Sequence, residues 1–310
     1  MTTRPGILAR IGNTAMVELR HLVPEGSARI LVKCENENPT GSMKDRMALA
    51  MIEAAEADGR LEPGGAVVEY TGGSTGVSLA LVCAVKRLPL DIVSSDAFAR
   101  EKLDHMKILG ATLHVVRSES GRMTAELTRA MIERARVIRE ETGAFWTDQL
   151  RNADQLSAYR AMADEIWAQT GGRIDGFVQA VGSAASFRGT AERLRERNAR
   201  IRTVAVEPAE SAVLSGGTPG AHKIDGIGAG FVVPLWKENI ADTIARVSTE
   251  EAKAMALRLA RAEGLFAGTS TGANLVAALA LAKELGPHAT IVTLMCDTGM
   301  KYLRGLGEAG

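Results

Sequence analysis

The chain has 310 residues, enough for one large domain or two medium ones around a substantial core. Hydrophobic residues make up 46% and charged residues 24%, the balance of an ordinary globular protein, and Lys+Arg and Asp+Glu are equal at 37 each. No net positive field exists to favour nucleic acid or an anionic membrane. Three scattered cysteines (Cys34, Cys83, Cys296) build no disulfide framework, and neither a CxxC nor an HExxH pattern occurs, so no metal site is expected. Met1 to Arg10 lacks the apolar core of a signal peptide, and no apolar stretch approaches the ~20 residues of a membrane span. The expectation is a reduced, cytoplasmic protein.

Apolar runs alternate with amphipathic, Ala-rich runs. Residues 29–33 read as a strand, 42–58 as a helix, 66–70 as a strand and 76–85 as a helix after a Gly-rich turn. A strand at 91–93, a helix at 99–109, a strand at 112–116 and a helix at 124–141 follow. The second half keeps the same alternation, with helix 158–169, strand 176–180, a helix near 188–197, strand 203–207, helices 248–263 and 274–285, and a last strand at 290–295. Such alternation predicts an α/β protein with parallel or mostly parallel sheets flanked by helices, and two such units fit the length. Ligands are then expected in loops at the carboxyl ends of strands.

Four loops carry candidate chemistry. In Asn38-Pro39-Thr40-Gly41-Ser42-Met43-Lys44-Asp45-Arg46, Ser42 is placed to cap a helix and Lys44 falls in its first turn. A cation there opposes the helix dipole, which a lysine converted to an imine tolerates better; a surface lysine beside Asp45 is the plain alternative. Thr71-Gly72-Gly73-Ser74-Thr75-Gly76 follows a strand and offers backbone N–H groups and hydroxyls to an anion such as a carboxylate, or is simply a tight, well-capped turn. Val181-Gly182-Ser183-Ala184-Ala185-Ser186-Phe187-Arg188-Gly189 also joins a strand to a helix, with small residues that let backbone approach a phosphate; it is neither a P-loop nor GxGxxG. After the last strand, Asp297 or Thr298 is placed to meet a ring nitrogen, or the segment is a plain C-terminal turn.

Taken in order, these segments resemble the cysteine synthase (O-acetylserine sulfhydrylase-like) family of fold-type II pyridoxal-phosphate (PLP) enzymes, whose fold is tryptophan synthase β-like. The resemblance runs from Gly12-Asn13-Thr14-Ala15-Met16-Val17 through the lysine and Thr71 loops, Gln149 and Glu165-Ile166-Trp167. It continues over the Gly182 loop, His222-Lys223-Ile224-Asp225-Gly226-Ile227-Gly228-Ala229-Gly230-Phe231 and Glu263-Gly264-Leu265-Phe266-Ala267-Gly268-Thr269-Ser270-Thr271-Gly272-Ala273 to Asp297-Thr298-Gly299-Met300-Lys301-Tyr302-Leu303. It implies that Lys44 holds PLP as a Schiff base and later acts as base. Gly182, Ser183, Ala184, Ala185 and Ser186 would bind the phosphate, and Thr298 would meet the pyridine nitrogen. Thr71, Gly72, Gly73, Ser74 and Thr75, with Gln149, would bind the substrate carboxylate. Ser74 would also stand by the cofactor ring, and Gly226 at the substrate entrance. The resemblance further implies a cofactor between two domains, a smaller one over 37–148 and a larger one combining 1–36 with 149–310, and a homodimer.

Two departures stand out. The family's substrate loop reads Thr-Ser-Gly-Asn-Thr-Gly, so Gly72 replaces a serine and Ser74 an asparagine. Ala184 and Ala185 stand where the family has glycines, and their methyl groups are expected to exclude a glycine-only backbone conformation. The implied reaction is β-replacement on an O-activated serine by sulfide or another small nucleophile through an aminoacrylate, giving cysteine or a β-substituted alanine. β-Elimination by an ammonia-lyase or desulfhydrase, a cystathionine β-synthase-like condensation and a non-catalytic binding protein are the alternatives. The end at Gly310 is read as leaving no room for a C-terminal regulatory domain. The cysteines are expected in the core, and His105 and His222 in structural or surface roles.

Overall fold

A computed structural model describes residues 6–119 and 124–303; the first five residues of the segment read as lacking a signal peptide lie outside it. The chain divides into two compact units, one comprising the segment ending at Ile11 with Lys44–Gln155, the other Gly12–Met43 with the chain from Leu156 onward.

In the first unit α1 (Lys44–Asp58), β3 (Val67–Tyr70), α2 (Ser74–Lys86), β4 (Leu90–Ser95), α3 (Arg100–Ile108), β5 (Thr112–Val116), α4 (Ala125–Thr142) and β6 (Phe145–Trp146) follow one another. Their four strands form a wholly parallel sheet in the order β5-β4-β3-β6. Every residue of β3 is buried, so the strand reads as a continuous apolar run broken only by Glu69. Met131, Ala135 and Ile138 of α4 pack with Val68 and Val93 of the sheet. Each such aliphatic side chain contributes roughly 1.5–3 kcal/mol on burial.

The second unit begins with β1 (Met16–Glu18) and β2 (Arg29–Cys34). It continues with α5 (Gln155–Gln169, whose first residue belongs to the first unit), β7 (Gly176–Ala180), α6 (Ala185–Arg197), β8 (Arg202–Pro208) and β9 (Thr243–Val247). It closes with α7 (Thr249–Glu263), α8 (Thr269–Leu285) and β10 (Thr290–Met295). The strand order is β1-β2-β10-β7-β8-β9, parallel except for β1, an antiparallel edge. Ile30, Val32, Val178, Val206 and Ile291 meet α8 residues Leu275, Ala278 and Leu281 in its core. Ser248 and Glu251 form a reciprocal capping box that starts α7, and Gly264 ends it in the left-handed conformation.

Both sheets contain a point where chain order reverses. In the first it falls between β3 and β6, in the second between β7 and β10. Loops leaving the carboxyl ends of adjacent strands diverge there, which makes the crevice where open α/β sheets bind ligands. The predicted helix starts need correction on this account. α1 begins at Lys44 rather than 42, α5 at Gln155 rather than 158, α6 at Ala185 rather than near 188 and α8 at Thr269 rather than 274. Glycine-, serine- and threonine-rich segments read as loops thus double as first helical turns. β1, β6 and β9 were not foreseen: two have three residues or fewer, and β9 is a partly exposed edge.

Candidate active site

At the β3/β6 switch, Thr71 N–H donates to Val93 O (2.9 Å) and its hydroxyl accepts from Gly73 N–H (3.2 Å), turning the chain into α2. Ser74 opens that helix, half-buried, and Gly73 supplies no side-chain cap. Thr75 Oγ1 donates to Gln149 Oε1 (2.8 Å), while Gln149 Nε2 donates back to Tyr70 O (3.2 Å). Two segments singled out separately in the sequence are thereby tied together. Beneath them Glu69, with 0% exposure, accepts from Thr147 Oγ1 (2.6 Å), Gln149 N–H (3.0 Å), Tyr70 N–H (2.8 Å) and Trp146 Nε1 (3.4 Å). Burial pushes its carboxyl up to about 7 against the pull of these donors.

Gly72 has a steric reason to be glycine. A Cβ there would lie 1.8 Å from the Phe98 ring, so Phe98 fills the space that a side chain at 72 needs. Lys44 begins α1, followed by Asp45, whose Oδ1 accepts from Ser78 Oγ (2.5 Å) of α2.

At the β7/β10 switch, loop 181–186 leads straight into α6. A Cβ on Gly182 would stand 2.5 Å from Gly226 O, and Gly228 N–H donates to Val181 O (3.1 Å), so the two glycine segments are packed backbone to backbone. His222 holds the second in shape: Nδ1 accepts from Ile224 N–H (3.3 Å), which leaves the proton on Nε2 for Gly228 O (3.0 Å). This is the structural role expected of it. Ala184 takes a left-handed conformation, φ 68°. The added methyl therefore does not exclude that geometry; alanine reaches it at a cost of about 1–2 kcal/mol. Ala184 gives α6 no side-chain cap, and the first in-register helical bond runs from Arg188 N–H to Ala184 O (2.8 Å). The N–H groups of Ala185, Ser186 and Phe187 thus have no intrahelical acceptor and form the positive end of the helix. Ser183 is half-buried, and Ser186 Oγ accepts from Gln179 Nε2 of β7.

Beside that loop the segment before Lys44 is stitched to the one after β10. Met43 N–H donates to Cys296 O (2.9 Å), Thr298 N–H to Gly41 O (3.0 Å), and Ser42 and Asp297 face each other as an antiparallel bridge. Thr298 Oγ1 accepts from Met300 N–H (3.3 Å), which leaves its own proton available. Asp297 Oδ2 accepts from Tyr302 OH (2.5 Å). Burial and the charge of Asp297 hold that phenol well above its ordinary value, so the proton stays on the tyrosine.

Sequence reasoning missed Glu69, Gln179, Phe98 and Asn274. Asn274, fully buried on α8, accepts from Ala180 N–H (2.6 Å) at the end of β7 and donates to Leu294 O (3.0 Å) of β10. It fixes the two strand ends that deliver both loops. Its only signal was an amide in an otherwise Ala- and Leu-rich helix. Ser270, buried in the first turn of α8, lies just past the bridge between Ala267 and Thr298 and is a second hydroxyl near the loop after β10.

The model of one family, pyridoxal-phosphate dependent enzymes, matches residues 7–297. The chain belongs to that family. Its members depend on PLP, and so does this enzyme. A cysteine synthase of Staphylococcus aureus is 38% identical over 295 residues, 94% of this chain and 93% of that protein. Among solved structures, O-acetylserine sulfhydrylase isoform 3 of Entamoeba histolytica superposes with a TM-score of 0.90 at 37% identity, covering 97% of this chain and 90% of that one. A hydrogen sulfide-producing enzyme of Fusobacterium nucleatum superposes with a TM-score of 0.90 at 33% identity, covering 98% and 99%. The fold-type II expectation is borne out, with one antiparallel edge strand added to sheets that are otherwise parallel.

Proposed function

We propose that this PLP enzyme carries out β-replacement on an O-activated serine such as O-acetylserine, with sulfide as nucleophile and cysteine as product. The similarity to cysteine synthases over nearly the whole chain supports the reaction class. The observation that carries the site assignment is the uncapped start of α6 at a topological switch, closed on one side by Gly226. The residues present fit the cofactor: its phosphate matches a cradle of unclaimed N–H groups with Ser183 and Ser186, and glycine at 182 keeps side-chain bulk out of the turn.

When bound, PLP supplies the electron sink that makes the substrate Cα proton removable. Lys44 Nζ anchors the cofactor and, once displaced by the substrate amine, is the base that takes the Cα proton and later returns it. The hydroxyls and N–H groups of 71–75, braced by Gln149, receive the substrate carboxylate. Thr298, whose proton is not used by its own N-cap bond, is the hydroxyl assigned to the pyridine nitrogen. A neutral hydroxyl does not hold that nitrogen protonated as a carboxylate would; Asp297, the neighbouring carboxylate, has one of its two oxygens engaged with Tyr302. The leaving group departs from Cβ with its bonding pair, and sulfide donates a pair to the same carbon. The family resemblance further assigns a homodimer in the cytoplasm, to be tested by sedimentation and fractionation.

A second reading, β-elimination, is favoured by Gly72, which removes a side chain from the substrate loop, and by the likeness to a hydrogen sulfide-producing enzyme.

The test is an absorbance titration of purified protein with O-acetyl-L-serine, then with sulfide. The expected result is a cofactor band that shifts with the amino acid and returns with sulfide as cysteine accumulates. Pyruvate release independent of sulfide would establish elimination instead. Borohydride reduction should attach the cofactor to Lys44 and leave Lys44→Ala unlabelled. Thr298→Ala and Ser270→Ala discriminate between the two hydroxyls: only the variant facing the ring should move the band.

A further inference from the structure

We propose that Gln179 is a positioning residue for the cofactor phosphate: by donating to Ser186 Oγ it turns the Ser186 proton into the loop that receives that phosphate. The inference rests on the reading of 182–186 as the phosphate site.

Gln179 is the fourth of the five residues of β7, 1% exposed, in a strand whose other residues are Gly176, Phe177, Val178 and Ala180. A buried amide in an apolar strand costs free energy unless its groups are bonded. Only half of this one is: Nε2 reaches Ser186 Oγ at 2.5 Å, and Oε1 is buried without a hydrogen-bond partner. Leaving that carbonyl unmet is unfavourable, and a methionine or leucine would fill the space at no such cost. The side chain is therefore explained by what its donor does.

A serine hydroxyl has one proton and two acceptor lone pairs. With a lone pair committed to Gln179 Nε2, the proton is left to seek an acceptor elsewhere. Ser186 is the second residue of α6, on the turn whose N–H groups of Ala185, Ser186 and Phe187 have no intrahelical acceptor. An anion there meets these N–H groups, and the Ser186 proton joins them. Without the amide, the hydroxyl rotates among competing orientations. With a carboxylate at 179, the Ser186 proton is drawn away and a like charge is added behind the phosphate.

The experiment compares binding of PLP and of pyridoxal, which lacks the phosphate, to wild type, Gln179→Met, Gln179→Glu and Ser186→Ala after removal of bound cofactor. Binding is followed by absorbance, and the ³¹P resonance of bound PLP reports its phosphate contacts. Gln179→Met should weaken PLP about 2- to 10-fold, the range of one net hydrogen bond, and leave pyridoxal unchanged. Gln179→Glu should weaken it further at neutral pH and recover relative to wild type on acidification, as its carboxyl gains a proton to donate. Gln179→Met should add little once Ser186 is alanine, since both changes remove the same interaction. Equal loss of PLP and pyridoxal, or full additivity with Ser186→Ala, would mean that Gln179 merely packs the strand. Wild type that binds PLP while every Gln179 variant matches it, ³¹P shift included, overturns the role of Gln179 alone. Wild type that takes up no PLP overturns the phosphate-site reading with it.

Discussion

At position 72 a glycine stands where the related pattern has serine, and Phe98, 26 residues further along, explains why. The ring occupies the volume of the missing side chain and packs with the core of its unit, alongside Val93 and Val116. The pair is sterically exclusive, because no ordinary side-chain contact places a Cβ at 1.8 Å from a ring carbon. Gly72→Ser must displace either the ring or the loop. Overpacking of this kind costs about 1–3 kcal/mol, which, if it falls on substrate binding, is a loss in kcat/KM of roughly 5- to 150-fold, mostly through KM. Phe98→Ala clears the space, so the double variant Gly72→Ser/Phe98→Ala should regain most of what Gly72→Ser loses. Steady-state kinetics on the four proteins checks this; simple additivity would show that the two positions do not compete. The substitution at 72 was legible in the sequence, but its partner was not, since nothing in a linear pattern links a loop phenylalanine to a glycine after another strand.

At the scale of elements, the loops with chemistry are held by polar groups inside apolar strands. Glu69 ties the end of β3 to the segment after β6 through four donors, and Asn274 of α8 ties the ends of β7 and β10. Burial raises the Glu69 carboxyl from an ordinary 4.5 to about 7 in the fold. Between those values the folded chain holds a proton that the unfolded chain has lost, so stability from this group is fully present below about pH 4.5 and is lost as pH rises through 7. Measured against Glu69→Gln, which does not titrate, wild type should lose relative stability from pH 4.5 to 7 and hold a constant difference above it. Denaturant midpoints across that range decide the matter, and parallel pH profiles would refute a perturbed Glu69. The glutamine also presents an NH₂ to donors that need acceptors, costing about 1–3 kcal/mol and loosening Gln149. Such residues explain the limits of the sequence reading. Strands 112–116, 176–180 and 290–295 were legible to the residue because long apolar or β-branched runs bounded by turns admit one interpretation. Gln179 within 176–180, and Glu69 within β3, interrupt apolar runs of this kind and look like noise. The starts of α6 and α8 were misplaced because residues suited to an anion loop also suit a first helical turn.

For the whole molecule, the three cysteines report on the two units separately. Cys83 lies in α2 of the first unit, while Cys34 and Cys296 lie at the ends of β2 and β10 in the second, where Met295 is paired with Cys34. None of the three is in a disulfide and all are buried, as expected of small core residues, and burial pushes the thiols of Cys34 and Cys83 up to about 11 and about 12. A thiol reagent attacks the thiolate, so at a pH of about 8 labelling requires opening of the surrounding structure. Cys34 ends β2 and Cys296 directly follows its paired neighbour β10, so the two should label at one shared rate, with Cys83 following the opening of its own unit. PLP seated on the loop after β7, the other neighbour of β10, raises the free energy of opening that sheet in proportion to the logarithm of its saturation. Excess PLP should therefore slow Cys34 and Cys296 together, by about 100-fold when the free cofactor stands at about 100 times its dissociation constant, if labelling follows the equilibrium population of the open form. Mass spectrometry of peptides quenched at intervals in mild denaturant reads all three sites in one experiment. A Cys296 that labels well ahead of Cys34 would mean that the end of β10, and Thr298 with it, opens without the sheet. The stitching of Gly41, Met43, Cys296 and Thr298 would then be too weak to hold in place the segment that leads to Lys44.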